Sequence, residues 1–131
     1  MNYSRNAVYT YVVNAVKPQF PLTNFTSRRV PKPASFPTAY IHEIDNFRTL
    51  QATQLDFEDV QCESVFEVQV VSAKGNEAAS EAFPIMEKTT AAMSELYYRK
   101  FSETTVDTGE WFTVIARFRR KIGGGDTMPN N

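Results

Sequence analysis

The sequence predicts an α+β fold, a mainly antiparallel sheet with two helices packed on one face. Three observations lead to this prediction. At 131 residues the chain has the length of one ordinary domain with its own core. Apolar residues recur at helical spacing in two segments and alternate in others, which is typical of helices and half-buried strands. The helical segments stand before and between the groups of strands, an order that favours an α+β domain.

The first helix is expected from Ser4 to about Val16, where apolar residues recur three and four apart. Pro18 ends it, because a proline disfavours helical backbone in the residue before it. Residues 18–37 hold five prolines and are expected to form an extended arm without a helix or a central strand. The arm carries three aromatic residues that need an apolar surface: Phe20, Phe25 and Phe36. We favour a surface on a neighbouring subunit or partner; the alternative is their own domain.

Strands are expected next. The run Thr38–Ile44 has strand composition and is expected to end in a turn at Asp45-Asn46. A weaker signal runs from about Leu50 to Leu55. Residues 60–71 give the clearest strand, because small or apolar side chains alternate with mostly polar ones. The face expected to be buried carries Cys62, Ser64, Phe66, Val68 and Val70.

The second helix is expected to begin with Asn76 as its N-cap, and Pro84 is expected to kink it or divide it. Residues 99–105 and 110–122 then form a hairpin around a turn at residues 107–109. One domain is therefore expected over residues 1–122, followed by a flexible C-terminal tail over 123–131. The predicted core contains Phe66, Val68, Phe83, Met86, Phe112 and Val114.

Composition excludes several classes of protein. Hydrophobic residues make up 42% of the chain and charged residues 22%, as in folded proteins. A net charge of −1 argues against a dedicated nucleic-acid binder. The one cysteine excludes an internal disulfide and a Cys-rich zinc site. No apolar run approaches the length that crosses a bilayer, and no signal-peptide core follows the first residues.

No catalytic, cofactor or metal constellation is recognisable, so we expect a protein that is not an enzyme. His42 and Cys62 could meet on neighbouring strands as a dyad, but a thiol on a buried face is usually structural packing. The acidic run 56–59 could bind a divalent cation weakly, although a solvated turn is the more common use of such a run. The glycines at 123–125 lack the lysine and the helix of a phosphate-binding loop.

Charge is unevenly distributed along the chain. Residues 1–36 hold five bases and no acid, residues 37–72 one base and seven acids, and the remainder eight of each. The two regions could neutralise each other within a subunit or meet between copies, where complementary charge fixes register. The densest basic cluster is expected to pair with Glu63 and Glu67 across the sheet, with phosphate binding and ion pairs between subunits as alternatives: Arg117, Arg119, Arg120 and Lys121.

Several segments resemble short proteins from the head–tail gene cluster of long-tailed bacteriophages. Residues Ser35–Asn46 resemble the "FP…V…E.DN" segment of that group, and Phe66–Lys74 resemble its "FEVxVYSNK" strand. Tyr97-Tyr98-Arg99 stands where the group often has a "GFxR" turn, and Trp111–Phe118 resembles its closing aromatic strand. The resemblance covers about residues 4–120 and departs at Val71, at Pro84 and at the missing glycine before Tyr98.

This resemblance implies a tail terminator, or tail completion, protein. Such a protein is a small α+β domain that closes into a ring, with a hexamer expected. The ring caps the last ring of tail-tube subunits, stops its polymerisation, and presents a face to the head-side connector or stopper protein. Genome DNA passes through without sequence-specific binding. The implied location is the tail-neck region of the virion, after assembly in the host cytoplasm, with no cofactor and no membrane.

Two alternatives remain open at this point. One is another neck protein, a stopper or head-completion protein. The other is an enzyme or nucleic-acid-modifying factor that uses His42 or the acidic run. For the ring, the residues expected to contact a second subunit or another partner are Arg28, Arg29, Lys32, Phe20, Phe25, Phe36, Glu63, Glu67, Arg117, Arg119 and Lys121.

Overall fold

A computed structural model describes residues 5–28, 33, 35–48 and 62–122. The predicted fold class is confirmed: two helices accompany one five-stranded, mostly antiparallel sheet in a single small domain. The helices and strands are α1 (Arg5–Val16), β1 (Asn24–Thr26), β2 (Thr38–Arg48), β3 (Cys62–Ser72), α2 (Ala78–Glu95), β4 (Arg99–Asp107) and β5 (Phe112–Ile122).

The sheet order is β1-β2-β3-β5-β4, so β3 and β5 lie in its interior. Only the β1–β2 pair is parallel, and the other three pairs are antiparallel. The face predicted to be buried is confirmed for Ser64, Phe66, Val68 and Val70, but Val65 and Glu67 on the opposite face are also buried, at 9% exposed each. The predicted hairpin is confirmed as β4 and β5.

The core lies between the two helices and one face of the sheet, called here the inner face. Phe66, Val68 and Phe118 on the interior strands are at most 1% exposed and belong to one cluster with buried side chains of both helices. The predicted core set is confirmed, with Phe83 and Phe112 at its border in an edge-to-face contact of 5.6 Å between ring centroids. The buried helix residues include Val8, Val12, Val16, Ala82, Ile85, Met86 and Met93.

Helix α2 differs from its prediction in two respects, at Pro84 and at its N-cap. It is continuous over 18 residues and contains Pro84, so the proline does not divide it. Pro84 and Ser80 are both exposed, which lets water bind the Ser80 carbonyl that loses its intrahelical partner. Asn76 is not the N-cap; it lies in a 3₁₀ turn, Gly75–Glu77, and Glu77 takes the cap position without a side-chain hydrogen bond.

Strand β2 and the arm also differ from expectation. The turn predicted at Asp45-Asn46 is wrong, because β2 continues to Arg48 and a bulge between Glu43 and Asp45 absorbs the irregularity. Residues Asn24–Thr26 of the arm form an edge strand, which their freedom from proline permits. The weak strand at Leu50–Leu55, the acidic run 56–59 and the tail 123–131 lie outside the described residues.

Candidate interaction surface

The face of the sheet opposite the helices, the outer face, carries a row of charged groups. His42, Glu67 and Arg117 are register partners across β2, β3 and β5, so their side chains stand side by side. We call these three residues the charged row. It lies in the middle of the sheet and contains two of the residues predicted to contact a partner, Glu67 and Arg117.

Glu67 is the centre of this row and is fully bonded within the subunit. Arg117 Nε donates to Glu67 Oε2 at 2.9 Å, and Gln69 Nε2 donates to Glu67 Oε1 at 2.8 Å. The Glu67 side chain is only 12% exposed, whereas that of Arg117 is 50% exposed. The expected cross-sheet pairing of the basic cluster therefore describes Arg117, and it takes place within one chain.

The same geometry shifts two pKa values. Burial acts to raise the pKa of Glu67, but the hydrogen bonds from Gln69 and Arg117 and the Arg117 charge outweigh it, so the pKa is lowered. Burial lowers the pKa of His42, and the neighbouring Glu67 charge only partly opposes this. His42 stacks on Tyr40 with ring centroids 4.3 Å apart, and its Nδ1 has no hydrogen-bond partner among the described residues. A neutral imidazole beside an ionised carboxylate is the expected state near neutral pH.

A second group of cations lies at the end of the sheet where β4 begins and β5 ends. Arg119 lies over the Phe101 ring, 5.3 Å from its centroid, and Arg120 over the Tyr97 ring at 5.2 Å. We call this surface the hairpin base. Its cavity of about 480 Å³ is lined by Glu63, Tyr97, Arg99, Arg119 and Arg120.

Tyr97 holds an unusual backbone conformation at this place. Its φ is +67°, and it is the residue after the last turn of α2, where glycine is usual. The Tyr98 N–H donates to the Met93 carbonyl at 3.0 Å and the Tyr97 N–H to the Ser94 carbonyl at 2.9 Å, which together form a Schellman cap. Arg120 Nη1 donates to the Leu96 carbonyl at 2.9 Å, so β5 also binds the end of the helix.

The phenylalanines of the arm contact their own domain. Phe20 and Phe25 are half-buried and pack against the core, and Phe36 lies 5.6 Å from Trp111 between ring centroids. The alternative in which these rings fold back onto their own domain is therefore the arrangement present in the single chain. An additional contact of their exposed parts with a partner stays a prediction.

The remaining predicted contact residues divide into three groups. Arg28 is exposed and makes no ion pair with the described part of the chain. Glu63 is half-buried and lines the hairpin base. Arg29, Lys32 and the side chain of Lys121 lie outside the described residues.

The histidine and the cysteine do not form a dyad. His42 pairs with Glu67, whereas Cys62 lies five positions away along β3, a distance of about 16 Å at the usual rise of a strand. No group of three metal-binding side chains comes together among the residues that the structure describes. Within the same residues, no helix is long and apolar enough to cross a membrane.

A chain of hydrogen bonds beneath the helices was not expected from the sequence. Tyr98 Oη donates to Ser64 Oγ at 2.8 Å, and Ser64 Oγ donates to Glu43 Oε2 at 2.6 Å. Arg5 Nε lies 3.7 Å from the other carboxylate oxygen of Glu43. A second cavity, of about 490 Å³, opens beside Arg5, Arg28 and Glu43. This chain satisfies a buried tyrosine and a serine, which is a structural role.

The sequence matches no known protein-family model, and no curated protein is significantly similar to it.

Proposed function

We propose that this protein is a non-enzymatic virion component, a tail terminator ring that caps the tail tube, stops its polymerisation and joins the tail to the head-side connector. The role in the tail is based on the resemblance of residues 35–46 and 66–74. A small α+β domain with both helices on one face of its sheet agrees with the fold that this resemblance implies.

The observation that supports assembly is the distribution of unpaired charge. Several ion pairs close within the chain, as between Lys74 and Glu81 at 3.0 Å and between Lys100 and Glu103 at 2.8 Å. Three exposed arginines have no such partner among the described residues: Arg28, Arg99 and Arg119. Because the net charge of the chain is −1, acidic groups elsewhere on its surface balance these arginines. Basic and acidic groups at different places suit a head-to-tail contact between copies, which can close a ring.

Incubation with purified tail-tube protein tests the proposal. Tubes that polymerise in the presence of this chain should stop growing, and electron microscopy should find a ring at one end of each tube. A stopper or head-completion protein would leave tube growth unchanged and would bind the connector instead. Native mass spectrometry of the free protein should give a ring, with a hexamer expected.

Charge reversal tests how the ring forms. Arg28→Glu with Arg29→Glu should weaken assembly, and reversal of Glu63 should partly restore it; Glu67 is unsuitable because it binds Arg117. Lys17→Glu with Lys88→Glu makes the same change of net charge and should leave assembly intact. Assembly of the arginine variant that equals wild type at both low and high salt would contradict an electrostatic contact through the arm.

A further inference from the structure

The hairpin base places two cations side by side without an acid between them. Arg99 and Arg119 are direct register partners across β4 and β5, and like charges in that position destabilise a sheet. Both are exposed, and neither makes an ion pair with the described residues. Among the described residues that line the cavity of the base, Glu63 is the one carboxylate. An anion bound here would remove the repulsion.

Two aromatic rings are exposed on the same surface. Tyr97 is 68% exposed and Phe101 is 48% exposed. A tyrosine with positive φ costs free energy that a glycine at this position would avoid. The base therefore holds two unfavourable features, this backbone conformation and the pair of like charges. Departures of this kind are expected where a surface serves binding. The Phe101 ring lies against the Arg119 guanidinium, which the same face then presents to a planar carboxylate.

The other end of the same hairpin has the opposite charge. The hairpin tip, residues 107–111, carries the exposed acids Asp107 and Glu110 and the half-buried Trp111. The tip lies eight positions from Arg99 along β4, about 26 Å away, and the paired strands keep it there. A tip therefore cannot reach the base of its own hairpin.

We propose that the hairpin base receives the hairpin tip of a second copy of this chain, so that Asp107 and Glu110 bind between Arg99 and Arg119. The inference deepens the proposed ring by naming a second contact beside that of the arm, and it depends on that function only for the head-to-tail assembly of copies. Each copy offers one base and one tip, which is the arrangement that a heterologous, ring-closing interface needs.

Complementary variants test this contact. The base variant is Arg99→Glu with Arg119→Glu; Arg120 is kept because it binds the Leu96 carbonyl. The tip variant is Asp107→Asn with Glu110→Lys; asparagine keeps the acceptor for the Gly109 N–H, now 2.9 Å from Asp107 Oδ1. Each variant alone should self-associate at least about tenfold more weakly than wild type in sedimentation experiments. Circular dichroism melting confirms that each is folded.

An equimolar mixture of the two variants should assemble again, because each tip then meets a base of opposite charge. Self-association of either variant equal to wild type, or a mixture that stays dissociated, would overturn the contact. If the variants assemble normally but lose binding to a fluorescein-labelled oligonucleotide, the base binds nucleic acid and the inference is wrong. If the wild-type protein forms a ring that caps tubes, and both reversed variants form that ring equally well, only this contact is contradicted. If the mixture of the two variants assembles as expected but neither it nor the wild-type protein caps tubes, only the proposed tail function is contradicted.

Discussion

The inner and outer faces of the sheet are built from alternate residues of the same strands, yet they differ in what a side chain contributes. On the inner face Phe66 and Phe118 are at most 1% exposed and lie in the core cluster shared with both helices. On the outer face the largely buried Glu67 and the half-exposed Arg117 bind each other. Packing sets the free energy of folding on one face, and charge pairing sets the surface chemistry on the other.

The outer face itself contains a second contrast. Its middle, the charged row, is closed because the Glu67 carboxylate accepts hydrogen bonds from two neighbours. Its end, the hairpin base, sets Arg99 directly opposite Arg119. The comparison teaches that charges on one sheet can be structural or available for a partner, and that cross-strand register decides which.

The largest expected effect is on the inner face. Phe66→Ala should lower the free energy of unfolding by about 3–5 kcal/mol, because a fully buried aromatic ring leaves a cavity. The matched change on the outer face, Ile115→Ala, should cost under about 1.5 kcal/mol, since Ile115 is only half-buried. Urea denaturation measures both. Equal losses would mean that the two faces do not differ.

Arg117→Met should have the next largest effect. It leaves the largely buried Glu67 carboxylate without its cation, and we expect a loss of about 1–2 kcal/mol after allowance for the exposure of Arg117. A double-mutant cycle with Glu67→Gln isolates the pair, and a coupling below about 0.3 kcal/mol would argue against it. The control, Arg119→Met on the same strand, should change stability by less than about 0.5 kcal/mol.

Tyr97 sharpens the comparison at the hairpin base. Tyr97→Gly and Tyr97→Ala both remove the ring, but only glycine adopts a φ of +67° without strain. The glycine variant should therefore be more stable than the alanine variant by about 1 kcal/mol. Thermal unfolding at matched protein concentration measures the difference. Equal stabilities would show that the cap position carries no strain.

The smallest effect concerns His42. Its pKa is lowered in the folded state from an ordinary value of 6.5, so the unfolded chain binds the proton first as the pH falls. Stability should decrease from below about pH 6.5, and the lowered pKa of Glu67 should add a further loss only below about 4.5. Because His42 is the only histidine, His42→Gln should flatten the dependence between about pH 7.5 and 5.5. If the variant keeps the wild-type pH dependence of stability, that dependence comes from another group.

Much of the fold follows from local patterns in the sequence. Alternation along residues 62–72 indicates which side chains face the helices, and the turn at 107–109 predicts the hairpin. Three features do not follow. Helix α2 continues through the exposed Pro84 while its other face packs in the core, β2 passes Asp45 through a bulge, and Tyr97 adopts a backbone that its residue type does not suggest. The first two involve residues far away in sequence, in the core and on β3, whereas the Tyr97 cap is bonded to the last turn of α2.

The candidate surface was predictable in part. The pairing of Glu67 with Arg117 follows from opposite charges on neighbouring strands, but Arg120 of the same basic cluster binds the Leu96 carbonyl instead. The contrast between Arg117 and Arg119 was not predictable, because it depends on which residue of β3 or β4 stands opposite each arginine. For the hairpin base, the one sequence signal was that Tyr97 stands where the resembling proteins have a glycine.

The sheet order has a consequence for synthesis of the chain. Strand β5 is the last of the five strands to be translated, but it lies between β3 and β4. At about 5–20 residues per second, the 50 positions from Ser72 to Ile122 take roughly 3–10 s to add. During that time one edge of the apolar strand β3 has no native partner and is open to pairing with another nascent chain. Slower aggregation at lower expression rates is the expected result, since fewer such edges would then coexist.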